Sequence, residues 1–303
     1  MKYVFLALFL IFTQVPFAAA SGNTPSFPLP MNTGSLSVRP LRELLDPRLQ
    51  QRLVAKLTGR SYWHQMIRDK KMAVGLVDLS RPSRILFARV NGNQMMYAAS
   101  LPKIAVLLAA AHSMEYRLIP RTPELVTDLH LMIRKSDNPA ATRVIERMGM
   151  VRIQQILALE QYAFYDEAHG GGLWVGKKYA QAGKRYPDPV GGISHGATAT
   201  QVCRFYYLLA MGKLISPERS REMLEILFNP GLHHKFVNTL ERIAPKALLF
   251  RKSGTWKSWH SDSVLVWGPD WRRYIAVALV EDKNGESILR KLIPELEAVL
   301  KTR

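Results

Sequence analysis

A single cysteine, Cys203, stands in the 303 residues, so no disulfide can form within the chain in any redox compartment. It lies in the apolar run 202–210 and reads as a small buried hydrophobe rather than a nucleophile. Acidic residues are also scarce: 24 Asp and Glu face 42 Lys and Arg, for a formal charge of +18. Those cations are scattered and form no basic helix or tail, which argues against a nucleic-acid partner. Two readings of the charge remain open, attraction to anionic envelope polymers or lipid headgroups and a merely solvated basic surface. No metal-ligand spacing and no phosphate-cradling glycine loop occurs, so the expectation is no metal and no cofactor. Long apolar runs are missing except near the start, where residues 4–12 are too short for a comfortable membrane span.

What is present begins with that segment. Lys2, the apolar run and then Ala18-Ala19-Ala20 before Ser21 follow the plan of a cleavable secretory signal, residues 1–20, with cleavage after Ala20; a membrane anchor is the alternative. A periplasmic or secreted protein is expected. Residues 21–40, with Pro25, Pro28, Pro30 and Pro40, read as an extended linker without a core of its own.

Asp46-Pro47 then opens a helical pattern with Leu49, Leu53, Leu57, Trp63 and Ile67 on one side and Asp46 as its cap. Strand-like runs follow at 72–79 and 84–90, with a turn at Pro82, then a buried helix over 97–111 whose first turn carries Ser100 and Lys103. The middle reads as helical, including 139–148 and 200–211, with Gly170-Gly171-Gly172 as loop. Strands return at 248–255, 261–267 and 274–280, and a helix closes the chain at 286–300. The pattern predicts an α/β (α+β) fold: one five-stranded antiparallel sheet built from both chain ends with flanking helices, 41–98 and 217–303, around an inserted all-α domain, 99–216.

Three short strings carry chemistry: Ser100-Leu101-Pro102-Lys103, Ser136-Asp137-Asn138 and Lys252-Ser253-Gly254-Thr255. The first alone is weak, because Ser-x-x-Lys is common; all three in order are not. Ser100 and Lys103, one helical turn apart, suit a nucleophile and its base, since apolar neighbours would desolvate the lysine and lower its pKa. A helix cap followed by a snorkelling lysine would look the same. Ser136 could relay a proton and Asn138 orient a substrate carbonyl, or the string could simply cap a helix. Lys252 would attract a carboxylate, Gly254 would admit a close backbone, and the Thr255 amide with that of Ser100 would hold an oxyanion; an edge lysine discouraging aggregation is the bland reading of Lys252.

With these strings, Tyr97-Ala98-Ala99-Ser100, Ser136 to Ala141, 197–216 and 251–280, the chain resembles the class A β-lactamases and related penicillin-binding serine peptidases over most of residues 70–300. The resemblance implies a β-lactamase-like fold with its cleft where the two domains meet. It further implies Ser100 as nucleophile, Lys103 as base, Ser136 as relay, Asn138 as substrate contact, and Lys252, Ser253 and Thr255 as carboxylate and oxyanion contacts.

Two features depart from that family. The Glu-x-x-Leu-Asn string that activates the deacylating water has no counterpart; Asp166, Glu167 and His169 are the nearest candidates. The interval from Ser100 to Ser136 is also short, so part of the helical domain is missing. His233 and His234 are adjacent and would not share a metal, so they read as surface or core packing, while Trp256, Trp259 and His260 could wall the cleft or simply pack. The expectation is an acyl-serine hydrolase, monomeric or weakly associating. Its substrate is expected to be a β-lactam or a peptidoglycan-type peptide, with slow deacylation. A module that keeps the cleft without turnover is the rival.

Overall fold

The computed structural model describes residues 29–31 and 38–302. The expected signal segment and most of the linker lie outside these residues. Leu29 and Met31 of that linker are buried against the core, and the Met31 amide donates to the Ala210 carbonyl at 2.6 Å.

The chain opens with α1 (Pro47–Thr58), capped by Asp46, whose carboxylate accepts from the Leu49 amide at 2.7 Å, and α2 (Ser61–Arg68). The expected continuous helical pattern is thus two helices, because Gly59 ends the first. Strands β1 (Met72–Asp78), β2 (Leu86–Val90) and β3 (Met96–Tyr97) follow. Next come α3 (Lys103–Glu115), α4 (Pro123–His130), a π-helical turn at Leu131–Lys135, α5 (Asn138–Met148) and α6 (Met150–Ala158). Short strands β4 (Tyr165–Asp166), β5 (Gly171–Gly172), β6 (Trp174–Val175) and β7 (His195–Ala197) then precede α7 (Ala199–Ala210), α8 (Pro217–Leu227) and α9 (Phe236–Ile243). The chain closes with β8 (Leu248–Trp256), β9 (Trp259–Trp267), β10 (Arg273–Glu281) and α10 (Gly285–Lys301).

The main sheet has the order β2-β1-β10-β9-β8 with antiparallel pairing throughout. Early and late chain therefore meet at the centre, where Met72 pairs with Val280 and Asp78 with Tyr274. Successive side chains of a strand point to opposite faces, and here both faces are covered. Ile275, Val277 and Leu279 pack toward the helical insertion, while Tyr274, Ala276 and Ala278 pack toward α1, α2, α9 and α10. Two buried faces explain why β10 reads as an unbroken apolar run instead of an alternating one. Helix α7 crosses the sheet closely: a Cβ on Gly75 would lie 2.5 Å from Cys203 Sγ. Cys203 is fully buried, as expected, and burial pushes its thiol pKa up.

The insertion is mainly helical, but the Gly170–Gly172 stretch expected as loop contributes β5, which pairs with β4. At its centre α3 is buried from Lys103 through Met114, as a helix apolar on all sides should be. It begins at Lys103 and not at residue 97, a correction with a local cause. Pro102 has no amide to donate and disfavours helical geometry in its predecessor. Residue 97 belongs instead to β3, Ala99 is left-handed at φ 51°, and Ser100 sits in the turn before the helix, its carbonyl accepting from the Lys103 amide at 3.3 Å.

Among the described residues no helix is long and apolar enough to cross a membrane, and no group of three or more His, Cys, Asp or Glu could hold a metal ion.

Candidate active site

Three pieces of chain, at 100–103, 136–138 and 252–255, converge at the junction of sheet and helices. Ser100 leaves β3 on a turn fixed from two sides: the Ala98 amide donates to the His195 carbonyl at 2.8 Å, and the Ala98 carbonyl accepts from Ser261 Oγ at 2.8 Å. Gly254 of β8 lies directly beneath this turn. A Cβ there would fall 2.7 Å from the Ser100 amide nitrogen and closer still to the Ala98 carbonyl. Only glycine lets the strand edge come this near the Ser100 amide. Gly254→Ala is expected to cost about 1–3 kcal/mol through overpacking and to lower acylation by parting Ser100 from β8. Thermal denaturation and adduct formation measured side by side check both effects.

Lys103 is fully buried at the head of α3. Its Nζ donates to the Ser136 carbonyl at 2.6 Å, Asn138 Oδ1 at 2.7 Å and the Asp137 carbonyl at 3.3 Å, and it lies 4.5 Å from the Tyr179 ring centroid. Burial pushes its pKa down to about 7, Asp137 opposing part of the shift. The expected Lys103–Ser100 hydrogen bond is not formed in this state; the ammonium points instead at the Ser136–Asn138 string. That string is bent for the purpose. Ser136 is left-handed at φ 57°, and the Asp137 carboxylate caps α5 by accepting from the Ala140 amide at 2.6 Å.

Lys252, on β8, is also buried, and its Nζ donates to Ser136 Oγ at 2.9 Å and to the Ser253 carbonyl at 2.7 Å. Burial first, then Lys103, Arg251 and Lys235, hold its pKa well below the usual lysine range. Ser253 Oγ stands 3.2 Å from His234 Nε2, and Thr255 Oγ1 accepts from Lys235 Nζ at 2.8 Å. Ser100, Lys103, Ser136, Asn138, Lys252, Ser253, Gly254 and Thr255 are therefore gathered in one place. Ser100, Asn138 and Thr255 line a cleft of about 820 Å³, with Tyr97, Trp256 and Trp259 among its walls. His260 lies buried beneath, against the start of α10.

Two residues here escape sequence reasoning. Lys235 is fully buried, and its Nζ reaches the Gly254 carbonyl at 2.5 Å and the Ser261 carbonyl at 3.1 Å as well as Thr255. It thereby ties β8 to β9 directly under the strand edge, and burial pushes its pKa to about 8. His234 beside it is pushed to about 4, by burial first and then by Arg251, so it is neutral near pH 7. Both are set by the buried ion pair of Arg251 with Asp262, at 2.6 Å. Arg251 also donates to the Leu232 and His234 carbonyls, and Asp262 accepts from the Phe236 amide. In sequence the two histidines read as surface or core packing, and Lys235 carries no signal; His233 is exposed and paired with Glu241, while His234 is half-buried.

The candidate deacylation bases lie elsewhere. Asp166 pairs with His169 at 2.6 Å and with Arg42 at 3.4 Å, and neither they nor Glu167 line the cleft. The cleft wall facing β8 is formed by residues 177–181, Arg185 and 192–195 and carries no carboxylate. Its histidine, His195, is engaged at both nitrogens: Nε2 donates to the Lys177 carbonyl at 2.9 Å, and Nδ1 faces Ser194 Oγ at 3.2 Å.

A family model described as "Beta-lactamase enzyme family" matches residues 113–300. Among solved structures, a β-lactamase from Sphaerobacter thermophilus is similar at 15% identity and a TM-score of 0.62, over 82% of this chain and 95% of that one. PBP-A is similar at 18% identity and a TM-score of 0.62, over 88% and 100%. A mutant of PBP-A in an acyl-enzyme complex with penicillin G matches at 18% identity and a TM-score of 0.61, over 88% and 98%. No curated protein matches the chain.

Proposed function

The chain belongs to the β-lactamase enzyme family, and from that premise we propose that it is an exported serine hydrolase that forms an acyl-enzyme on Ser100 and releases it slowly. The substrate is an amide with a nearby carboxylate, a β-lactam or a peptidoglycan-type D-peptide. The observation that carries this reading is the pair of buried lysines, Lys103 and Lys252, both joined to Ser136 beside the Ser100 turn in a cleft without a carboxylate.

In the mechanism that this geometry supports, Lys103 acts as a neutral amine. Its two N–H groups satisfy the Ser136 carbonyl and Asn138 Oδ1, leaving a lone pair to take the Ser100 proton as Oγ attacks the carbonyl carbon. The oxyanion forms between the Ser100 and Thr255 amides. Ser136 Oγ, fed by Lys252 Nζ, passes a proton to the departing nitrogen. Ser253, Thr255 and the lysine charge behind them receive the substrate carboxylate. Acylation is therefore fully equipped. Hydrolysis of the ester needs a water with a base, and no carboxylate of the cleft wall supplies one; a missing general base typically costs about 10² to 10⁴ in rate.

The PBP-A mutant in an acyl-enzyme complex with penicillin G supports the acylation half of this reading. Benzylpenicillin turnover is expected to show a burst of one equivalent followed by a slow phase, with the adduct visible by intact mass throughout. Replacing Asp166, Glu167 or His169 should leave the slow phase unchanged. Rapid steady-state hydrolysis without a burst would overturn the slow-release reading. Absence of any adduct with β-lactams, D-peptides and activated esters would favour a cleft that binds without turnover.

A further inference from the structure

The rim of the cleft carries four cations, Lys177, Lys178, Arg185 and Lys257, and no Asp or Glu. Their partners separate them. Lys178 is neutralised by Glu146 at 2.7 Å, but Lys177 and Arg185 form no ion pair among the described residues; Lys177 donates to the Gln181 carbonyl at 2.9 Å and Arg185 to that of Gly192. Both act electrostatically on His195, and Arg185 also acts on Tyr97, so their charge is felt inside the cleft. Tyr97 in turn packs against Trp259 at a tilt of 58°, ring centroids 5.3 Å apart, which places an aromatic wall beside the cations. None of this is needed for the substrate carboxylate already assigned to β8, because Lys177 and Arg185 belong to the opposite wall, in the segment that leads into β7.

We propose that this wall is a second anion subsite, so that the preferred substrate carries a further carboxylate on its acyl part, next to a flat apolar group that packs on Tyr97 and Trp259. The proposal rests on the acyl-enzyme reading for the direction in which substrate lies. Two unpaired cations on one wall, Lys177 half-buried and Arg185 exposed, attract a carboxylate more strongly than scattered surface lysines do, because their fields add at the cleft.

Benzylpenicillin and carbenicillin differ by one carboxylate on the acyl side chain and provide the probe. The second-order acylation rate constant for carbenicillin is expected to exceed that for benzylpenicillin by roughly tenfold at low ionic strength, the advantage shrinking with added salt. Lys177→Gln with Arg185→Gln should bring the ratio to about one, whereas Lys70→Gln with Lys71→Gln, outside the cleft, should leave the ratio as it was. A ratio near one in the unaltered protein, or a ratio that falls equally in both double variants, overturns the subsite. If neither penicillin acylates, the acyl-enzyme reading fails separately. The same pair is then compared by equilibrium binding through tryptophan fluorescence, where equal affinities overturn the subsite and tighter carbenicillin binding lost only in the Lys177 and Arg185 variant upholds it.

Discussion

Ser100→Ala protein incubated with benzylpenicillin is expected to keep its unmodified mass, with acylation falling by about 10⁶-fold, the loss typical of removing a serine nucleophile. The unaltered protein should gain one penicillin on the peptide containing Ser100. Folding is not at issue, since Ser100 Oγ makes no hydrogen bond that holds the turn; the turn is held by Ala98. Labelling that persists in the variant, or that maps to Ser136, would remove Ser100 from the mechanism.

Acylation should rise with pH through about 7 and then level off, because Lys103 titrates there and only its neutral form takes the serine proton. Below that pH the rate should fall tenfold per unit. Lys103→Arg, which stays charged and too large for the pocket, should lose about 10² to 10⁴ in rate together with this dependence. Stopped-flow acylation across pH 5 to about 9 measures both. The same shift has a thermodynamic sign. Lys103 loses its proton at about 7 in the folded protein but near its ordinary 10.5 in the unfolded chain. Between those values unfolding takes up a proton, so this group makes stability rise with pH across that window. A pH-independent rate in the unaltered protein would exclude Lys103 as the base.

How much of this could be read from sequence depends on what kind of signal each feature leaves. The sheet was legible because its central strands β1 and β10 are largely apolar along their length and its two halves flank a helical stretch. Ser100, Ser136 and Lys252 were legible because their neighbours are as distinctive as they are. The start of α3 was not, since apolar periodicity runs straight through Pro102 and only the backbone restriction of proline sets the boundary. Lys235 left no trace. A lysine becomes fully buried only when distant carbonyls converge on it, and Gly254 and Ser261 lie on strands that sequence cannot orient. The wall 177–195 was opaque for another reason: its loops follow no period, so its cations looked like solvated surface.

The pairing of β1 with β10 also dictates when this protein can exist as a folded object. Strand β1 has emerged from the ribosome long before residue 280, and until then it has only β2 to pair with. Contacts of such long range make folding slow relative to chains of local contacts. A nascent chain therefore cannot close this central sheet until β10 has been made. Its cleft, whose far edge is Thr255 and Trp256 of β8, is likewise completed only late in synthesis.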